Sequence, residues 1–119
     1  MALYEFEGKR PQVPIDSFVH PHAVLIGDVK VGHECLIAPG VSIRADFGPV
    51  VIGNRSNVQD NSVIHVYPDS RVIIEEDVTI AHGTILHDVT DEQKMMAKAG
   101  IDYYCDICKK YIATMKAVI

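Results

Sequence analysis

The chain has no cluster of positive charge, no long apolar run and only three cysteines, and each absence removes a class of protein. Eleven Lys and Arg against sixteen Asp and Glu leave a formal net charge of −5. The basic residues are scattered, so there is no footprint for neutralising nucleic-acid phosphates. No stretch approaches the roughly 18 apolar residues of a membrane-spanning helix. The opening MALYEFEGKRPQVP lacks the basic region and apolar run of a secretion signal. Three cysteines make no disulfide framework and suit a reducing compartment. The expectation is a soluble, cytoplasmic protein without membrane or nucleic-acid partners. Its 119 residues, 48% of them apolar, suffice for one core.

What the chain does have is a period of six. Val19, Leu25, Val31, Ile37 and Ile43 fall six residues apart. After three extra residues the series resumes at Ile52, Val58 and Ile64, and after four more at Ile74, Ile80 and Leu86. Four residues beyond these aliphatic positions stand Ala23, Val29, Cys35, Val41, Ser56, Ser62, Val78 and Thr84, all compact or β-branched, as a tightly turning corner requires. Glycines and prolines punctuate the run as turn formers. The pattern predicts an all-β solenoid of hexapeptide repeats over residues 1–89, three hexads to an 18-residue coil and about four coils, with the aliphatic anchors stacked inside. The extra residues at Phe47 to Pro49 and around Tyr67 to Asp69 are expected to protrude as loops.

Residues 90–119 follow another rule. Thr90 and Gln93 make a capping box at a helix start. Met96, Ala99, Tyr103, Ile107 and Tyr111 then recur at spacings of three and four. They predict an amphipathic C-terminal α-helix that packs along the solenoid or on a neighbouring subunit and caps apolar surface.

The register places three of the six histidines. His65 follows anchor Ile64 and His87 follows anchor Leu86, and their separation of 22 is one 18-residue coil plus the four-residue insert. The two rings should therefore stack on one face, about 4.8 Å apart. Arg44 continues that column one coil below. His82 sits two residues after Ile80, on a different face. A symmetric trimer would bring His82 of one chain to His65 and His87 of the next. Three imidazoles with an open fourth position are the ligand set of a catalytic zinc site. Histidines that merely hydrogen-bond across an interface are the plainer reading of the same residues.

The stretch SIRADFGPVVIGNRSNVQDNSVIHV, continuing through EEDVTIAHGTILH, resembles the γ-class carbonic anhydrases and their relatives among the hexapeptide-repeat proteins, over about residues 10 to 88. The resemblance rests on Arg44 and Asp46, on Asn57, Gln59 and Asp60, and on the three histidines. The tail looks like that of the carnitine-operon and phenylacetate-degradation branch. The resemblance implies a left-handed parallel β-helix and a homotrimer, with Zn²⁺, or in some members Fe²⁺ or Co²⁺, held by His65, His82 and His87 between subunits. It further implies that Gln59 hydrogen-bonds the metal-bound solvent with Asn57 close by, and that Arg44 and Asp46 form intersubunit ion pairs orienting the site. Turn formation by Asn57, Gln59 and Asp60, and an ordinary salt bridge for Arg44 and Asp46, are the structural alternatives. A zinc ion on three neutral imidazoles lowers the pKa of water to about 7, which supplies a nucleophile for hydrating CO₂.

The sequence departs from that family in two places. Phe47 follows the Arg-x-Asp, where relatives carry proton-shuttling glutamates in nearby loops. After His87 the repeats give way to the tail, where relatives continue for about three more coils. The alternatives are an acyl-CoA thioesterase, an acyltransferase-type protein using a histidine base, or a noncatalytic metal-binding or assembly protein. Cys105 and Cys108 share a helix face and supply only half a zinc site, so they read as structural or incidental thiols. His20, His22 and His33 are expected at exposed corners, and Cys35 in the core.

Overall fold

The computed structural model describes residues 2–88 and 91–118, with the backbone alone for 91–101. Contacts divide the chain into two units, Met1–Asp88 and Val89–Ile119. The first is a parallel β-solenoid of short strands: β1 (Ala2–Tyr4), β2 (Phe18–Val19), β3 (Val24–Val31), β4 (Leu36–Ile37), β5 (Ser42–Ile52), β6 (Asn57–Val58), β7 (Val63–His65), β8 (Val72–Ile74), β9 (Thr79–Ile80) and β10 (Ile85–His87). One sheet runs β1-β3-β5-β7-β10 with β8 also on β5, and a second runs β2-β4-β6-β9. Because β3 and β5 turn a corner without breaking, their later residues form a third face with β8.

The register matches the six-residue period. Leu25 pairs with Ile43, Ile43 with Ile64 and Ile64 with Leu86. Val31, Ile52 and Ile74 form a second column, and Val19, Ile37, Val58 and Ile80 a third. Nine of the eleven anchors, Val19 through Ile74, are buried to 5% exposure or less, and Ile80 and Leu86 pack against them partly buried. At roughly 25 cal/mol per Å² of apolar surface removed from water, these columns are the main source of stability.

Two anchors precede those the period reveals. Leu3 in β1 pairs with Leu25, and the Gln12–Lys30 bridge sets Val13 beside the second column; both pack on the core. Between them Phe6 and Lys9 exchange backbone hydrogen bonds across Glu7 and Gly8, both at positive φ (47° and 78°), a tight hairpin that throws the series out of step.

The buried serines explain the compact corner positions. Ser56 Oγ donates to the Glu75 carbonyl (2.6 Å) and accepts the Val78 amide (3.0 Å), and Ser62 does the same for Ala81 and Thr84 (2.8 and 3.3 Å). Each hydroxyl thus bridges a carbonyl and an amide of the turn in the following coil. At the Ser56 corner Glu34, Arg55 and Asp77 all take left-handed backbone (φ 54°, 57° and 58°). Arg55 bonds the Asp77 carboxylate one coil on, at 2.8 and 3.1 Å.

One insert is not a loop. Phe47–Pro49 stays inside β5, where the pairing with β3 shifts between Gly27 and Val29. The neighbouring strand passes this corner unbroken, so the extra residues are absorbed as a bulge, a place that also tolerates Pro49. The second insert does form a turn, closed by the Ser70 amide on the Tyr67 carbonyl (3.3 Å) with Asp69 at φ 61°.

The second unit is α1 (Asp91–Thr114), which ends before the last residues. The expected capping box of Thr90 and Gln93 lies outside the described residues, as do the side chains of Met96 and Ala99. Of the predicted stripe, Tyr103 and Tyr111 are exposed and Ile107 half-buried. Cys105 and Cys108 are exposed free thiols, whereas Cys35 is buried. Among the described residues no helix is long and apolar enough to cross a membrane.

Candidate metal centre

Strand pairing aligns Arg44 with His65 and His65 with His87, so the outward position after each anchor forms one column. The His65 and His87 rings lie 4.8 Å apart between centroids, edge to face at 80°. Below them Asp46 takes two side-chain partners, besides the Phe47 amide on Oδ1 at 2.9 Å. Its Oδ2 accepts from Arg44 Nη1 at 2.8 Å and its Oδ1 lies 3.0 Å from His65 Nε2. Burial pushes the Asp46 carboxyl up, but the hydrogen bonds from Arg44 and His65 and the Arg44 charge outweigh it, so its pKa lies below the ordinary carboxylate value. The Arg44–Asp46 ion pair thus closes within one chain.

The remaining predicted residues stand on the second sheet, Asn57 in β6, or just beyond its strands, Gln59 and Asp60 after β6 and His82 after β9. Gln59 Nε2 donates to Asn57 Oδ1, and Asn57 Nδ2 donates to Thr79 Oγ1 at 3.0 Å. His82 Nδ1 stands 3.2 Å from Asp60 Oδ1, with the imidazole 72% exposed. The eight residues therefore fall into two groups, Arg44, Asp46, His65 and His87 on one face and Asn57, Gln59, Asp60 and His82 on another. Among the described residues no three His, Cys, Asp or Glu side chains converge to hold a metal within one chain.

The donor set nevertheless fits a metal in most respects. His87 Nδ1 lies 3.0 Å from the Asp88 carbonyl oxygen, so it carries the proton and leaves Nε2 as a lone-pair donor. Asp60 favours the same tautomer for His82. His65 is different. Arg44 Nη2 approaches its Nδ1 at 3.5 Å and can only donate, so the proton falls on Nε2, facing Asp46. These tautomers are assigned from the partners. Asp46 must release Nε2 before His65 can ligate through that atom.

Two residues near this column carry no periodic signal. Tyr67 lays its ring against His87 with centroids 4.1 Å apart. Asp88 accepts the Tyr67 amide at 2.7 Å and is almost wholly buried. Burial pushes the Asp88 carboxyl up, and the Ser70 hydroxyl, the Tyr67 amide and the nearby His87 bring it below the ordinary value. Phe47 packs its ring 5.6 Å from that of His65. Of the early histidines, His22 and His33 are exposed as expected, whereas His20 is half-buried and accepts the His22 amide.

No family model matches the chain. Over 85 residues it is 44% identical to a carbonic anhydrase of Geobacillus kaustophilus, covering 71% of this chain and 47% of that protein. Over 87 residues it is 48% identical to the carnitine operon protein CaiE of Salmonella newport, covering 73% and 44%. Among solved structures, a hexapeptide transferase family protein from Anaplasma phagocytophilum superimposes with a TM-score of 0.69 at 35% identity, over 72% of this chain and 50% of that one. A putative acetyltransferase from Bacillus cereus does so with a TM-score of 0.71 at 38% identity and the same coverage.

Stacked three-faced coils, a six-residue core period and these matches define a hexapeptide-repeat β-solenoid protein. Within that class the chain is similar to proteins named carbonic anhydrase and carnitine operon protein, at 44% and 48% identity. It spans about half the length of the curated relatives it matches.

Proposed function

We propose that this chain is a carbonic anhydrase-like metalloprotein that hydrates CO₂ at a site shared between subunits of a homotrimer. His65 and His87 of one subunit and His82 of the next would hold Zn²⁺, or Fe²⁺ or Co²⁺ in its place. The observation that carries the reading is the His65–His87 column, two imidazoles stacked at 4.8 Å on an outward face, with a third histidine on a different face. A metal bound there would acidify a water to the point where it attacks CO₂ near neutral pH. Arg44 and Asp46 hold His65, and Gln59, which donates to Asn57, would hydrogen-bond the metal-bound solvent.

The test is subunit complementation. His65→Ala and His82→Ala proteins should each lose metal and activity when assembled alone. Co-assembled, they should regain competent sites at mixed interfaces, because one variant retains His82 and the other His65. Absence of any recovery would count against a shared site.

A second reading has its own support, since the two solved neighbours are a hexapeptide transferase family protein and a putative acetyltransferase. In that reading the same face serves an acyl-CoA thioester, with a histidine as general base or the metal activating water. CO₂ hydration, acyl-CoA hydrolysis and metal content measured on one preparation separate the two. One metal per chain with neither activity would favour a noncatalytic metal-binding or assembly protein.

A further inference from the structure

The carboxylate of Asp88 is the buried polar group that the site as proposed leaves unused. Its side chain is only 10% exposed. Oδ1 accepts the Tyr67 amide at 2.7 Å and stands 3.4 Å from His87 Nδ1, and the main-chain oxygen of the same residue takes that Nδ1 at 3.0 Å. Among the described residues no group closes a hydrogen bond on buried Oδ2, and the Ser70 hydroxyl is the further polar group beside the carboxylate. A buried carboxylate oxygen without a partner is costly unless positive charge develops close by. The adjacent group able to supply that charge is the His87 imidazole, and metal ligation at Nε2 draws positive character onto the ring and its Nδ1–H.

Tyr67 completes the arrangement. Its ring lies 4.1 Å from that of His87 on centroids, and the His65 ring also lies against His87. The backbone of Tyr67 is held by the same Asp88 oxygen that faces Nδ1. One residue therefore fixes both the imidazole, through its main-chain oxygen, and the aromatic ring packed on it, through its carboxylate. The turn around Tyr67 to Ser70 gains a purpose beyond length: it delivers Tyr67 to the histidine of the following coil.

We propose that Asp88 is a positioning residue that holds His87 in a single orientation with Nε2 free, pins Tyr67 against its ring, and strengthens the imidazole as a donor to a divalent metal ion. The last clause rests on the metal reading above; the positioning of the ring does not. Carboxylate–imidazole–metal relays of this kind alter metal affinity about 10- to 100-fold when the carboxylate is lost.

The experiment uses the full chain with ¹⁵N-labelled histidine, first metal-free and then titrated with Zn²⁺. Asp88→Asn removes the charge but keeps an acceptor for the Tyr67 amide. It should weaken Zn²⁺ binding about tenfold or more while leaving the metal-free His87 ring signals in place. Asp88→Ala also removes that acceptor. It should additionally shift the His87 ring protons as Tyr67 leaves, with the proton staying on Nδ1 because the main-chain oxygen remains. Wild-type Zn²⁺ affinity in both variants, with unchanged His87 signals, would overturn the proposal. If the wild-type protein takes up no Zn²⁺ on its histidines, the metal reading fails, and the His87 signals in the Ala variant still decide whether Asp88 positions the ring. Should the Ala variant not fold, the Asn variant tests the affinity effect alone.

Discussion

A Cβ atom on Gly48 would stand 2.3 Å from the Ser70 carbonyl oxygen and 2.9 Å from a Val66 methyl group, so the two inserts of the solenoid lie in direct contact. The bulge in β5 can seat the turn above it only because residue 48 has no side chain. Gly48→Ala should cost about 1–3 kcal/mol, the usual range for overpacking against atoms that cannot yield. Urea unfolding would measure it. Because the obstacle is backbone, the turn at Tyr67 must move, and a changed Tyr67–His87 contact should accompany the loss.

Ile64 tests the stacked core from within. It is fully buried between Ile43 and Leu86, and the next residue is His65. Ile64→Ala should destabilise by about 2–5 kcal/mol, and Ile64→Val by about 0.5–1.5 kcal/mol. Equilibrium denaturation reads both, and a loss below about 1 kcal/mol for the Ala variant would mean the coils collapse onto the cavity.

The Asp46 carboxyl gives the acid limb of stability a definite sign. Its pKa lies lower in the folded chain than in the unfolded one, held down by Arg44 and His65. Between those two values the unfolded chain binds more protons, so stability rises with pH there. The contribution is fully present above the ordinary carboxylate pKa of about 3.9 and is lost as the pH falls through the depressed value. Asp46→Asn should therefore be less stable than wild type at neutral pH, and the difference should shrink on acidification. Urea midpoints across the acid range would show convergence, and parallel curves would contradict it.

Much of this fold was legible because a solenoid writes its core directly into sequence spacing. The eleven anchors read from the period all face inward, and the column Arg44, His65, His87 follows from them with two known inserts. What escaped was set by turn chemistry. Leu3 and Val13 were hidden by the Glu7–Gly8 hairpin, and Phe47–Pro49 read as a loop although it lies within a strand. Tyr67 and Asp88 escaped for a further reason: they meet across a coil at positions that no anchor defines. The Asp immediately after His87 was the one signal that could have drawn attention to them. How His82 relates to the His65 column lies beyond any single chain's periodicity, because the two occupy different faces.

Both inserts fall at the same corner, between Ile43 and Ile52 in one coil and between Ile64 and Ile74 in the next, where β3 passes with no extra residue. The strands on either side keep their pairing whatever the length between them. That corner is therefore the seam at which this scaffold changes length, provided that Phe47 and Tyr67, whose rings pack on His65 and His87, are kept. A redesign that aims to reshape access to His65 and His87 has its graft point there, with the aliphatic columns left untouched.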